Sequence, residues 1–225
     1  MNNYRLDTAG GPVWFTAETA QPKVLMIHGF KRSVGQLRPW GARIEGLGFI
    51  HLPGHGGAPE VGEVSVAAWA RGIGPMLATF ERPPLLIGES LGAMVALCLP
   101  AKAVVAVEPL LSTDRLWPLH RTISAARSRG VEIGPEYEAL FDRPYDWVLD
   151  RISAPTLVIA GSEPLLPERP VWPEPSLLTD EDFAVYARHP LVSACRIAGG
   201  HNLLDHNPDG VMQAMAPFLA EHLQP

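Results

Sequence analysis

Ser90 stands at the centre of Gly88-Glu89-Ser90-Leu91-Gly92, between the apolar run Leu85-Leu86-Ile87 and the helix-like stretch Leu91–Leu99. A serine at the tip of a tight strand-to-helix turn exposes its hydroxyl, and glycines two positions to either side let neighbouring backbone come close. The bare five-residue pattern is weak evidence, because 21 glycines in 225 residues give on the order of 0.1 chance matches. A serine hydroxyl is also a poor nucleophile at neutral pH. It needs a base within hydrogen-bond reach, and that base needs an acidic partner to fix its tautomer. His201, in Ala198-Gly199-Gly200-His201-Asn202 just after the strand-like Ala194–Ile197, is the base the sequence selects, since serine first and histidine last is a known order for such a triad. Five other histidines compete poorly: His28 and His55 belong to turn motifs, His189 and His222 sit at helix ends, and His206 lies past the Gly-His pair.

Positioning these groups requires a sheet whose strand ends converge. Strand-like and helix-like patterns alternate along the chain, which predicts an α/β fold with a mostly parallel sheet of about eight strands and helices on both faces. Tyr4–Ala9 and Val13–Thr19, split by Gly10-Gly11, read as an antiparallel hairpin. Val24–Ile27, Gly48–Leu52, Leu85–Gly88, Ala103–Val107, Thr156–Ala160 and Ala194–Ile197 read as further strands. Helices are expected at Arg38–Leu47, Val64–Phe80, Leu91–Leu99, Thr179–Arg188 and Asp209–His222, with Asp180 and Asp209 near the N-terminal caps of the last two. A chain of 225 residues suits one domain over 1–225.

Net charge is −6, from 18 basic and 24 acidic side chains, so no global basic field exists to hold nucleic acid or an anionic membrane. The start Met1-Asn2-Asn3-Tyr4-Arg5 lacks the pattern of a secretory signal, and no apolar run approaches the ~20 residues that span a bilayer. A cytoplasmic protein is expected. Cys98 and Cys195, remote from each other and outside any C-x-x-C pattern, read as reduced, buried fillers.

Together, Lys23-Val24-Leu25-Met26-Ile27-His28-Gly29-Phe30, the serine turn, the Gly-His loop and His51-Leu52-Pro53-Gly54-His55-Gly56 resemble the α/β-hydrolase superfamily of serine esterases and acyl hydrolases, over nearly the whole chain. Many members carry Asp where this chain has His51, a residue that ties down its own loop. The resemblance implies an α/β-hydrolase fold with a small cap insertion at about 109–152, an oxyanion hole from the backbone N–H groups of Phe30 and Leu91, and no metal or organic cofactor. His51 and His55 have ligand-like spacing, but both lie in a Pro-Gly turn and read as structural. Serine at the nucleophile position argues against dehalogenase or epoxide-hydrolase chemistry.

For the acid, members place Asp after the strand matching Thr156–Ala160. Here Gly161-Ser162-Glu163-Pro164 is one residue shorter, and Glu163, a methylene longer, is the choice. Glu108, ending the preceding strand, is the rival, and Asp205 is close behind His201. Of the aromatic residues in the cap and in the proline-rich stretch Glu163–Pro175, Trp117, Trp147 and Trp172 are expected to wall an apolar acyl pocket. Tyr137, Phe141 and Tyr145, also in the cap, are expected to add aromatic surface to that wall. The implied reaction is hydrolysis of small, largely apolar carboxylic esters or thioesters through an acyl-enzyme. Arg115, Arg121, Arg127 and Arg129 form a basic run in the cap that would suit acyl-CoA or an acyl carrier protein, as in the superfamily's carrier-protein methyl esterases and thioesterases. A non-hydrolytic ligand-binding member is the alternative from a different class.

Overall fold

A computed structural model describes residues 1–8, 11–60 and 62–223. Among the described residues, eight strands form one sheet: β1 (Asn2–Thr8), β2 (Gly11–Ala17), β3 (Val24–Ile27), β4 (Leu47–His51), β5 (Leu85–Glu89), β6 (Ala103–Val107), β7 (Thr156–Gly161) and β8 (Val192–Ile197). Their spatial order is β1-β2-β4-β3-β5-β6-β7-β8. β1 pairs antiparallel with β2, and β2 with β4, while every other pairing is parallel. The expected hairpin is present as β1 and β2; its Ala9 and Gly10 lie outside the described residues.

The central strands are apolar at successive positions because both faces are covered, as parallel strands require. Val24, Met26, Leu85, Ile87, Val105 and Ile159 point into one core, and Leu25, Ile27, Leu86, Val104, Ala106 and Val158 into the other. The first core is closed by the helices α1 (Val34–Leu37), α7 (Leu203–His206) and α8 (Pro208–His222), the second by α2 (Val66–Leu77), α3 (Leu91–Leu97) and α6 (Asp180–Ala187). Between β6 and β7 the chain forms α4 (Trp117–Ser128), α5 (Glu136–Phe141) and a 3-10 turn, Asp146–Arg151.

Several element ends differ from the sequence reading for local reasons. The segment expected as a helix at Arg38–Leu47 is a 3-10 turn over Arg38–Ala42, with Pro39 and Gly41 inside it. The caps fall just upstream of the two aspartates: Thr179 accepts a hydrogen bond from the Asp182 N–H, and Asn207 from the Gly210 N–H. Asp180 and Asp209 instead pair with Arg196 and Arg43. Cys98 and Cys195 are free and half-buried rather than fully buried, and burial pushes the Cys98 thiol up to about 12.

Leaving β3, the chain first builds β4 on one side and then crosses to build β5 on the other. Such a switch point opens a crevice beyond the C-terminal strand ends, where open α/β sheets bind their ligands. Among the described residues no helix is long and apolar enough to cross a membrane.

Candidate active site

β5 ends at Glu89 and α3 begins at Leu91, leaving Ser90 as the single connecting residue, at φ 54° and ψ −123°. Its N–H donates to the Val107 carbonyl at 2.9 Å, so the sheet grips the turn up to its last residue. The two flanking glycines are demanded by contact. A Cβ on Gly88 would lie 2.5 Å from the Ala93 Cα, and one on Gly92 would lie 2.4 Å from the carbonyl oxygens of both Ile27 and His28. Only with hydrogen at both positions can α3 start directly over the ends of β3 and β5.

Among the described residues, the non-glycine residues with positive φ are Lys31, Ser90 and Glu108. Conformations of this kind cost about 1–3 kcal/mol each and persist where the surroundings impose them. All three sit at the C-terminal strand ends: Lys31 past β3, Ser90 past β5 and Glu108 past β6.

His201 joins two of these. Its Nε2 lies 3.0 Å from Ser90 Oγ, and its Nδ1 lies 3.1 Å from Glu108 Oε2. A carboxylate only accepts, so Nδ1 carries the proton and Nε2 is left to accept from the serine hydroxyl. Burial pushes the imidazole pKa down, but the hydrogen bond and charge of Glu108, with the charges of Glu89 and Glu174, outweigh it and raise the pKa above the ordinary histidine value. The ring is held from the backbone as well, because the His201 N–H donates to the Glu174 carbonyl at 3.0 Å.

The acid on the imidazole is therefore Glu108, where the sequence pointed to Glu163. Glu108 is fully buried and accepts three hydrogen bonds: from the Gly161 N–H, from Ser176 Oγ at 2.9 Å, and from His201. Glu163 is exposed. After β7 the N–H groups of Ser162 and Glu163 bond to the carbonyls of Ile197 and Gly199, which folds the loop onto β8 and leaves the Glu163 side chain outside. Its backbone still matters. The Glu163 carbonyl accepts from the Ser176 N–H at 2.8 Å, fixing the serine whose hydroxyl holds Glu108. No sequence signal marks Ser176. Asp205, the other acid near His201 in sequence, pairs with Arg32.

The turn after β3 is set by His28. This fully buried ring places Nδ1 2.8 Å from the Gly29 carbonyl and accepts from the Leu52 N–H at Nε2, at 3.2 Å. Burial, the main cause, lowers its pKa to about 4. Gly29 packs directly on the serine turn, since a Cβ there would lie 3.3 Å from the Ser90 Cβ. Phe30 follows Gly29 and lines the same cleft as Ser90, and Leu91 opens α3 directly after Ser90. His51 lies 2.9 Å from Thr16 Oγ1 and His55 2.9 Å from the Pro53 carbonyl, both structural contacts.

Ser90 and His201 open into a cleft of about 400 Å³. Its apolar wall is made by Phe30, Leu119, Tyr137, Phe141, Val171 and Leu177. The three tryptophans expected there do not line it: Trp117, Trp147 and Trp172 are exposed. Tyr137 and Phe141, one helical turn apart on α5, stack at 5.6 Å and turn the same face to the cleft. Trp117 opens α4 and stacks under Arg121 instead. In the basic run, Arg115, Arg121 and Arg127 pair with Glu181, Glu168 and Glu138. Among the described residues, no group of three or more His, Cys, Asp or Glu side chains is arranged to hold a metal.

Comparison with known proteins bears on family and fold. A family model described as the alpha/beta hydrolase family matches residues 24–214. Pimeloyl-[acyl-carrier protein] methyl ester esterases of two Neisseria meningitidis serogroup B strains are 34% identical over 120 residues, covering 52% of this chain and 42% of theirs. The chain thus matches less than half the length of these curated relatives. An esterase structure from Pyrococcus furiosus superposes with a TM-score of 0.75 at 14% identity, covering 99% of this chain and 90% of that one. The thioesterase domain of the curacin biosynthetic pathway gives 0.62 at 18%, covering 97% and 99%. At these identities the structural likeness is one of fold.

Proposed function

The chain belongs to the alpha/beta hydrolase family, and from that premise we propose that it hydrolyses carboxylic esters of small, largely apolar acyl groups through an acyl-enzyme on Ser90. The observation that carries the reading is the single imidazole set 3.0 Å from Ser90 Oγ and 3.1 Å from the Glu108 carboxylate. His201 takes the serine proton as Oγ attacks the acyl carbonyl, and Glu108 stabilises the imidazolium that forms. The backbone N–H groups of Phe30 and Leu91 receive the oxyanion; such a donor is worth about 3 kcal/mol in the transition state. His201 then returns its proton to the departing alkoxide. Water, deprotonated by the same ring, attacks the acyl-enzyme; as the acyl–Oγ bond breaks, the ring returns the proton to Ser90 Oγ and the carboxylic acid leaves.

The apolar wall of Phe30, Tyr137 and Phe141 suits a short hydrocarbon acyl group. A narrower reading, an ester or thioester carried by an acyl carrier protein, is favoured by the match to the Neisseria methyl ester esterases. The basic run between β6 and β7 gives it less support, because Arg115, Arg121 and Arg127 already have acidic partners. A purely ligand-binding role leaves the aligned serine and imidazole without a purpose.

The test is a series of p-nitrophenyl esters of increasing chain length, run beside a carrier-bound methyl ester, with wild type and Ser90→Ala. The proposal expects turnover of short esters that Ser90→Ala abolishes. Turnover that survives in Ser90→Ala, or none in folded wild type on any ester, overturns it.

A further inference from the structure

Arg32 sits two residues beyond Phe30, yet its guanidinium reaches both other segments of the site. Nη1 donates to Glu89 Oε1 at 2.7 Å and lies 2.9 Å from Asp205 Oδ2, while Nη2 donates to Asp205 Oδ1 at 2.9 Å. Glu89 immediately precedes Ser90, and Asp205, on α7, follows His201 by four residues. The partners are 57 and 173 residues away in the chain. The Arg32 and Glu89 side chains are only 13% and 3% exposed, so the pair is not one of the solvated surface bridges that contribute little.

We propose that Arg32 is a positioning residue: one guanidinium fastens the oxyanion turn, the strand end before the nucleophile and the segment behind the imidazole into a single unit, and balances the buried charge of Glu89 beside that imidazole. The inference rests on Ser90 and His201 being the reacting pair.

Geometry supplies the first half of the argument. Catalysis by preorganised groups falls steeply when they separate, and a displacement of about 1 Å costs on the order of 10²-fold. The β3 turn, the serine turn and the His201 loop are loops from three separate strands, so side chains bridging them fix their mutual distance. The bidentate contact to Asp205 restrains direction as well as distance. Electrostatics supplies the second half. Glu89 is faced by Arg32, His201, Asp205 and the Gly29 amide; burial raises its pKa and Arg32 offers the largest opposing effect. His201 is faced by Glu108, Glu89 and Glu174. With Arg32 gone, the Glu89 carboxylate turns to the imidazolium for its counter-charge, and the imidazole holds its proton to higher pH.

The rate of covalent labelling of Ser90 by a fluorophosphonate, followed from pH ~5 to ~9 across the histidine range, reads both halves without a known substrate. Arg32→Met is expected to lower the limiting rate about 30- to 100-fold and to move the acid limb to higher pH. Arg32→Lys keeps the charge without the fork; it restores the limb and recovers part of the rate. Asp205→Asn, at a half-exposed position that leaves the Arg32–Glu89 pair in place, is expected to slow labelling about 5-fold. A folded Arg32→Met protein that labels at the wild-type rate overturns the proposal, as does a slower rate with an unmoved limb, which is the mark of fold support alone. If Arg32→Met does not fold, Asp205→Asn decides, and a wild-type rate there overturns it. Failure of the wild type itself to label overturns the acyl-transfer reading, a result distinct from all of these.

Discussion

Replacing Glu108 with glutamine preserves the length and shape of the side chain while removing its charge and one acceptor oxygen. The carboxylate accepts from the Gly161 N–H, the Ser176 hydroxyl and His201 Nδ1, whereas an amide has one acceptor oxygen and one donor NH2. If the NH2 faces Gly161, a buried backbone N–H loses its partner, at a cost of about 1–3 kcal/mol. If it faces His201, Nδ1 must become the acceptor, the proton moves to Nε2, and the ring cannot take the Ser90 proton. Amide substitutions of a triad acid cost about 10⁴ in kcat, or roughly 5 kcal/mol at 1.36 kcal/mol per decade. Glu108→Gln is therefore expected to lose about 10³- to 10⁴-fold in kcat on a p-nitrophenyl ester. The acid limb of its profile should also move to lower pH, because the hydrogen bond and charge that raise the His201 pKa are gone. Glu163→Gln, at an exposed position, should stay within about twofold of wild type. A Glu163→Gln loss above about tenfold, beside a Glu108→Gln enzyme that keeps more than about a tenth of its kcat, would refute the reasoning.

Gly92→Ala places a methyl 2.4 Å from two backbone oxygens that cannot yield; urea denaturation should show a loss of about 3 kcal/mol, and an unchanged midpoint would contradict the close-contact account. His28 makes stability pH-dependent. Its folded pKa is depressed from 6.5 to about 4, so the unfolded chain takes up the proton first; the contribution is complete above 6.5 and is lost as pH falls to about 4. Its size is on the order of 3 kcal/mol. Urea midpoints across that window should fall more steeply for wild type than for His28→Gln, and equal slopes would count against the buried neutral ring. Phe141→Ala should shift ester preference by several carbons toward longer chains, by removing one ring of the Tyr137–Phe141 stack from the cleft wall; an unaltered preference would mean that the acyl group lies elsewhere.

What could be read from the sequence depended on whether the requirement was local. Gly88 and Gly92 announced the serine turn because the pattern itself is short, Gly88 meeting the backbone of Ala93 inside the turn and Gly92 the Ile27 and His28 carbonyls of the neighbouring strand end. The alternation of Val24 through Ile27 between two cores likewise follows from strand periodicity alone. Glu108 was harder, since a carboxylate at a strand end has no local signature. Its selection comes from β6 lying between β5 and β7, from a φ of 51° that redirects its side chain, and from Ser176 68 residues downstream. The proline-rich loop looked like the acid's place and instead supplies backbone that holds Ser176. Aromatic content indicated an apolar wall without its orientation: α5 turns Tyr137 and Phe141 inward, while Trp172 is 78% exposed. The contact between Arg32 and Asp205 crosses nearly the whole chain and leaves no trace in either neighbourhood.

The most direct test of the central claim is to trap the acyl-enzyme, by mixing the protein with a slowly deacylating p-nitrophenyl ester, quenching in acid and mapping the mass increase by peptide mass spectrometry. The account predicts one acyl group, on the peptide containing Ser90, with its formation abolished in His201→Ala. An acyl group on another residue, or equal acylation of Ser90 without His201, would contradict it.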